Sequence, residues 1–465
     1  MDGMATSSLL DRSDELSRLE AAWSLATQGR PQLAVLWGRR RVGKTFLAAH
    51  FAAGKRSVFF PATQQAELVE LARLFETASR QLGPAAIDLA GGGFASWEAA
   101  LRFFSALSVQ EPLLLVIDEV PYLARSTPGF ASIVQSVWDH LPTGRRLMIV
   151  LTGSAVGTIE SVLGAGGALR GRATLAFRLD PVDFTQARLF LPHLAPARLI
   201  EAYAACGGYP LHLLEWDQDM PTVHNLERLA GGPGGILLED ALGMLREELP
   251  DTGGYLRILA AIGRGRTRAS EIATEVDQRI EHPIEVLTRA GFVHRSVPVG
   301  APKRARPIYV IDDPYLAFWF AVLYSDLSLV EAGQGAAVLE RRKPEWDRHL
   351  GAVFEDQARR HAVRLVQAGR LPKDLLVGRW WATSGEPCEV DVLGMRGSHT
   401  VLVGEAKWQS RKLGLRELRS LISKSRRVPQ LVADPVYALW GRNGVETSAT
   451  AAGARGFNLT DMLSV

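Results

Sequence analysis

The densest chemistry in the chain lies in WGRRRVGKTFL, residues 37–47. Gly38 and Gly43 frame a loop, and Lys44 and Thr45 follow at once. Glycines at this spacing let a backbone curl until successive N–H groups point at phosphate oxygens. The apolar run 33–37 before the loop reads as a strand, and KTFLAAHF, 44–51, opens a helical pattern whose positive dipole end faces the same anion. Lys44 then reaches the β- and γ-phosphates and the Thr45 hydroxyl ligates Mg²⁺. Gly38, Arg39, Arg40, Arg41, Val42, Gly43, Lys44, Thr45 and Phe46 are therefore the expected lining of an ATP site. Only the backbone of the three arginines has to face phosphate. Their side chains are expected to point outward, toward the nucleotide's rim, another domain or a neighbouring chain.

A second acidic element supports the first. LLLVIDEV, 113–120, reads as a strand buried on both faces that ends in Asp118 and Glu119. Carboxylates at the C-terminal end of such a strand sit where open α/β sheets bind ligands. Asp118 is expected to hold Mg²⁺ through water, and Glu119 to orient the attacking water as general base. Strands are also expected over 57–61 and 145–154. The latter ends in Thr152-Gly153-Ser154, where Ser154 is placed to sense the γ-phosphate. Arg170 and Arg172, after a glycine-rich stretch, are candidates for an arginine finger given in cis or in trans; surface arginines in a loop are the plain alternative.

A third set of reactive types stands near the C-terminus. Glu389-Val390-Asp391 and Glu405-Ala406-Lys407 both end apolar strand runs. In a strand, residues i and i+2 share a face, so one hairpin gathers Asp391, Glu405 and Lys407 around a single point, while Val390 and Ala406 turn to the opposite layer. An exposed ion pair on a strand is the plain alternative. Trp380 and Trp381 precede this pair. Arg411, Lys412, Arg416, Arg419, Lys424, Arg426 and Arg427 follow it on an expected helix able to track a phosphate backbone.

These groups need a large scaffold. The 465 residues exceed what one hydrophobic core organises, and 47% hydrophobic with 22% charged residues is ordinary for a globular chain. The net charge is +3, but residues 341–430 hold 19 Lys+Arg against 10 Asp+Glu, leaving 34 against 40 elsewhere. That asymmetry points to a polyanion at the C-terminal part. Two cysteines, Cys206 and Cys388, provide neither a disulfide framework nor a CxxC metal pattern, which fits a reducing cytoplasm. The N-terminus lacks a signal-peptide pattern, and the apolar stretch 315–324 is too short for a bilayer, so a core helix and no membrane partner are expected. Three helical patterns, near 255–263, 267–276 and 279–290, precede two alternating runs around GAPKRA. Helix, helix, helix, wing is the winged helix-turn-helix order, whose third helix enters a major groove. Arg279, Arg289, Lys303, Arg304 and Arg306 favour such contact; Glu281 and Glu285 oppose it, and a docking module between domains is the other reading.

DRSDELSRL, GRRRVGKT, LLLVIDEVPYL, LTGSAVG, LRGRAT and GGYPLHL follow one another as in the archaeal-type P-loop ATPases, relatives of the AAA+ and STAND switch ATPases. The resemblance spans about residues 8–240. It implies that Asp11, Arg12, Glu15 and Leu16 pack near the nucleotide and that Gly207–Pro210 belong to a helical lid, consistent with a helical reading of 185–214. GRRR is common in that family's loop. The C-terminal segment resembles the PD-(D/E)xK nuclease core and the domain of unknown function joined to many such ATPases. It implies Mg²⁺ on Asp391, Glu405 and the Ala406 carbonyl, with a second ion or outer-shell water on Glu355. It also implies a Lys407 that positions or deprotonates the attacking water.

The expected fold class is thus α/β. A P-loop NTPase domain with an ASCE-type parallel sheet and helical lid spans 1–245, a winged helix-turn-helix with a following helix 246–340, and an α/β nuclease-like domain 341–465. The expected function is that of a cytoplasmic ATPase whose nucleotide state controls a DNA-directed C-terminal domain, with ATP, Mg²⁺, DNA and a second copy of the chain as partners. The alternative is a non-nuclease switch or scaffold in signalling or defence that binds proteins. A transport or mechanical ATPase is disfavoured, since neither a membrane segment nor a channel motif is evident.

Overall fold

The computed structural model describes residues 12–83, 92–154, 156–164, 166–249, 252–301, 305–382 and 386–464. Asp11, Lys303 and Arg304 lie outside the described residues. The chain divides into two compact units, one of residues 1–181 with 209–211, the other of 182–208 with 212–465.

The first unit is built on a parallel sheet. Its strands are β1 (Gln32–Trp37), β2 (Ser57–Pro61), β3 (Leu113–Asp118), β4 (Leu147–Gly153) and β5 (Leu175–Arg178). Their order is β2-β3-β4-β1-β5. Every residue of β3 and β4 is buried, which is why both read as unbroken apolar runs. Register aligns Trp37 with Gly153 and Ile117 with Leu151, so the C-terminal ends of β1, β3 and β4 share one edge. One face of the sheet carries a core in which Trp97 meets Phe130 edge-on at 5.1 Å and Phe60 at 6.1 Å. The helix Trp97–Leu107 starts at Ser96, whose hydroxyl accepts from the Ala99 amide at 3.1 Å.

The stretch 185–214, read as helical, is a succession of short helices. Phe184–Phe190 and Pro196–Cys206 are separate helices, because Pro192 has no N–H to continue the ladder. Asp183 caps the first reciprocally with Gln186, at 2.7 and 2.8 Å. Pro196–Cys206 packs against the helix Lys343–Gln367, and His349 Nε2 donates to the Ala204 carbonyl at 2.8 Å. Residues 182–208 therefore group with the C-terminal part in the second unit.

Helices Thr252–Gly263, Ala269–Val276 and Glu281–Arg289 come next, followed by an antiparallel pair, β6 (His294–Ser296) and β7 (Ile308–Val310), with Arg268 bridging to Ile308. Arg279 lies in the turn before the third helix, not on it. The apolar stretch expected to be about ten residues belongs to a 28-residue helix, Pro314–Arg341, kinked at Gly333 (φ 82°). By length and composition it could cross a bilayer. Here the Tyr315 hydroxyl and Trp319 Nε1 donate to the Leu237 and Leu238 carbonyls at 3.1 and 3.0 Å, and both rings are fully buried.

A mixed sheet closes the unit, ordered β12-β11-β10-β9-β8. Its strands are β8 (Leu376–Trp381), β9 (Glu389–Arg396), β10 (His399–Lys407), β11 (Leu431–Gly441) and β12 (Arg455–Phe457). β8, β9 and β10 are antiparallel; β10, β11 and β12 are parallel. The helix Lys343–Gln367 lies against β8, β9 and β10, and the helix Leu415–Ser425 makes the crossover from β10 to β11. Val299, from the turn after β6, is buried in this sheet's core, and its amide donates to the Arg379 carbonyl at 3.0 Å. The strand pair is thereby fixed to β8.

Candidate functional site

In the first unit, Gly43 takes φ 97° immediately before the helix Lys44–Ala52, a left-handed turn that glycine adopts without strain. A Cβ on Gly38 would fall 2.1 Å from the Leu179 carbonyl oxygen, so that position also requires glycine. Lys44 is buried, with Nζ donating to the Arg39 carbonyl at 3.0 Å. The Thr45 hydroxyl donates to Asp118 Oδ2 at 2.8 Å, and the Thr152 hydroxyl donates to Asp118 Oδ1. Glu119 stands in the left-handed region (φ 58°). Its Oε2 accepts from the Ser154 amide at 3.0 Å and the Ser154 hydroxyl at 2.7 Å. Lys44, Thr45, Asp118, Glu119 and Ser154 thus meet at one sheet edge. A hydroxyl beside a carboxylate is an oxygen-only donor set, which suits Mg²⁺. Arg12 Nη2 donates to the Val42 carbonyl at 3.2 Å and to the Asp180 carbonyl at 2.8 Å, so it clamps the loop to the segment after β5.

The arginines behave less uniformly than their sequence suggests. Arg39 is buried, against the expectation that all three side chains point outward, whereas Arg40 and Arg41 are half-buried. Arg41 also takes φ 71°. Arg172 forms a forked pair with Asp139 at 2.7 and 2.8 Å, which raises the Arg172 pKa and lowers that of Asp139. Its guanidinium is committed to that carboxylate within its own chain. Pro210, in the GGYP segment, brings its ring 4.0 Å from where a Gly43 Cβ would stand.

In the second unit, β9 and β10 bring Asp391, Glu405 and Lys407 together. Lys407 Nζ is 2.8 Å from Glu405 Oε1 and 3.9 Å from Asp391 Oδ2. Among the described residues another carboxylate set also converges: ligand oxygens of Glu355, Glu389 and Asp391 lie within 4.8 Å of one another. Glu405 faces two lysines, with Lys424 Nζ donating to both its oxygens at 2.8 and 2.7 Å. The Ala406 amide donates to Asp391 Oδ2 at 2.9 Å, so this backbone touches the cluster through nitrogen as well as through the carbonyl the resemblance implies.

Charge and burial oppose each other here. Burial, reinforced by Asp391, pushes the Glu355 carboxyl up to about 7. Burial and then Glu405 raise Asp391, against the pull of Lys407. For Lys407, burial favours the neutral amine, yet Asp391 and Glu405 outweigh it and raise the pKa. Arg379 pairs with Glu389, and Arg359 Nη1 donates to the Asp391 carbonyl at 3.2 Å. A closely spaced, part-protonated carboxylate group of this kind fits a divalent cation, which would relieve the mutual repulsion.

Glu389 is two residues from Asp391 on one strand, and that shared face is the signal for its place in the cluster. Lys424 carried no comparable signal: within a run of cations, only the crossover helix shows which one turns inward. Arg411 and Arg427 pair with Glu417 and Glu386, leaving Arg416, Arg419 and Arg426 among the exposed cations of that segment.

Residues 9–216 match an ATPase domain found predominantly in Archaea. The chain carries an archaeal-type ATPase domain. Residues 319–420 match a family of archaeal and bacterial proteins of unknown function. An uncharacterised protein of Methanocaldococcus jannaschii is 26% identical over 442 residues, covering 93% of this chain and 95% of its own. A Walker-type ATPase of Pyrococcus abyssi superposes with a TM-score of 0.50 at 20% identity, over 67% of this chain and 96% of that one. The ORC2 protein of Aeropyrum pernix, in ADPNP–ADP complexes, gives 0.44 at 13% identity over 73% and 96%. The Pyrococcus likeness is one of fold: the α/β parallel sheet of the ATPase domain is that of P-loop ATPases.

Proposed function

We propose that this chain is a cytoplasmic, Mg²⁺-dependent ATPase whose nucleotide state governs a DNA-directed, nuclease-like centre in its C-terminal domain. In the ATPase domain, Lys44 and the loop amides bind the phosphates of ATP. Thr45 and Asp118 would hold Mg²⁺, which would supply positive charge to the phosphates, and Glu119 would accept a proton from the attacking water. Ser154 ties that glutamate down through two hydrogen bonds, so release of Glu119 from Ser154 is the step that readies it for water.

The reading of the C-terminal domain rests on one observation above the others: Glu355, Glu389 and Asp391 present oxygens within 4.8 Å of one another, beside Lys407. The order of elements around them supports it, a helix, three antiparallel strands, a helix and a parallel strand. A bound Mg²⁺ would polarise a phosphodiester, and Lys407 would position the water or steady charge on the phosphate. The three-helix module is a winged helix in this reading. Its third helix turns Glu281, His282, Glu285 and Arg289 outward, a face poor in cations, so it serves as a docking module and leaves DNA to the Leu415–Ser425 segment.

Plasmid nicking in Mg²⁺ or Mn²⁺, with and without ATP, tests the proposal. Asp391→Ala and Lys407→Ala should each abolish nicking while ATP hydrolysis continues. A chain that never cleaves DNA or RNA in any metal supports the alternative of a switch or scaffold for protein partners. The observation favouring that alternative is Glu405, already neutralised by Lys407 and Lys424.

A further inference from the structure

A cavity of about 690 Å³ opens in the second unit between the β6–β7 pair, the helix Lys343–Gln367 and β8. Its size is that of a small-molecule site. The apolar walls are aliphatic, with Val299 and Val310 on one side and Val353 and Val377 on the other, and among the described residues no phenylalanine, tyrosine or tryptophan lines it. Such surfaces cover the face of a flat ring without competing for hydrogen bonds.

The polar lining is His294, Ser296, Asp312, His349, Asp356 and Gln357 with Arg359 and Arg379, and Asp356 is itself paired with Arg360 at 2.7 Å. Arg359 and Arg379 are also the residues that touch the carboxylate cluster, through the Asp391 carbonyl and Glu389. Arg359 also lies 3.5 Å from Asp356 through Nη2, yet each guanidinium has five N–H donors and these contacts use only part of them, so donors remain for a phosphate. Glu355 and Arg359 are one helical turn apart, so the helix that gives the cluster a carboxylate gives the cavity a cation. Asp312, on the segment after β7, also lines the cavity; its side chain is 60% exposed and stands 3.8 Å from His294. A carboxylate in such a place accepts hydrogen bonds from an amino group on a base edge.

We propose that this cavity binds a nucleotide, with its base between the valine walls, an amino group of the base on Asp312, and its phosphate toward Arg359 and Arg379. The nuclease-like reading supplies the role: the nucleotide beside the scissile phosphate leaves its stack and enters the cavity. The docked strand pair then acquires a purpose, since without Val299 and Val310 the cavity has no outer wall.

Binding is measured on the full chain in EDTA and saturating ATP, with fluorescent single-stranded oligo-dC and oligo-dT, so that cleavage is not needed for the readout. The parent should prefer oligo-dC by roughly tenfold, one good hydrogen bond to the amino group of cytosine. Ala352→Trp, at an exposed lining position, should weaken oligo-dC by about tenfold or more while ATP binding and the parent's two-unit denaturant unfolding profile persist, which shows that both units are folded. Asp312→Asn should erase the preference for dC over dT. Unlabelled dCMP distinguishes the two sources of the ligand: competition with oligo-dC assigns the cavity to free nucleotides as well, and no competition assigns it to nucleic acid. An Ala352→Trp chain that binds oligo-dC like the parent, or a parent without base preference, overturns the proposal. A parent that binds as described but never nicks plasmid overturns the nuclease reading alone.

Discussion

Asp118 and Glu119 are held by hydroxyl groups, whereas Asp391 and its neighbours are held by cations. In the first unit, Thr45, Thr152 and Ser154 satisfy the two acids with neutral donors. In the second, the part-protonated carboxyl group of Glu355, Glu389, Asp391 and Glu405 faces Arg359, Arg379, Lys407 and Lys424. A neutral donor can give way to a metal-bound oxygen without leaving a charge behind. Removing one member of a part-buried ionic group leaves its partner uncompensated, which costs far more. The first site is therefore built to exchange partners during a cycle. The second is held in one arrangement by its ion pairs.

The widest separation between the two sites should come from Lys44→Ala. It removes the one cation of the phosphate loop that the glycine turn places for the β- and γ-phosphates, and ATP turnover should fall by about a hundredfold or more. Any Mg²⁺-dependent nicking measured without ATP should persist in that chain. Equal loss of both activities, with the chain still folded, would mean that the two sites are not separable.

The first site was legible because its constraint is local. Gly38, Gly43, Lys44 and Thr45 fall within eight residues, and the two glycines are required by a backbone approach and a positive φ that the sequence pattern already encodes. Parallel register then places Asp118 and Ser154 from strands that read plainly as buried. The second site depends on long-range contacts. Alternation along β9 and β10 placed Asp391, Glu405 and Lys407, but the partners of Glu405 and Glu389 come from a crossover helix and an edge strand. The inward turn of Lys424 follows from helix packing, which a run of lysines and arginines does not reveal. The 28-residue length of Pro314–Arg341 was hidden by polar residues that sit on its outer face.

Acid separates the two regions next. His349 and His361, both buried in the second unit, titrate near 4, lowered chiefly by burial. His361 Nδ1 accepts from Trp440 Nε1 at 2.9 Å, an arrangement that requires the neutral ring. A group with a depressed folded pKa contributes its full stability above its unfolded value of about 6.5. That contribution falls away as pH drops toward 4, by no more than about 3 kcal/mol per imidazole. Denaturant titrations should show the second unit weakening across this window. His361→Gln, which keeps an acceptor but does not titrate, should flatten part of the slope. A second unit equally stable at pH 7 and pH 4.5 would refute the assignment.

The smallest effect belongs to the loop arginines, and it bears on how local the first site is. Arg40 is half-buried, and in a loop of this kind only its backbone has to face phosphate. Arg40→Ala removes a cation without altering Gly38, Gly43 or the start of the helix. ATP affinity should fall by less than about threefold, under 1 kcal/mol and far from the Lys44→Ala loss. Arg39 is the informative contrast, since its side chain is buried beneath the loop and its carbonyl accepts from Lys44 Nζ. Arg39→Ala would empty a packed volume next to that lysine, so its effect on ATP binding should exceed that of Arg40→Ala. If isothermal titration ranked Arg40 above Arg39, the arginine side chains would be reading the nucleotide directly, and the loop would not be a site made by backbone alone.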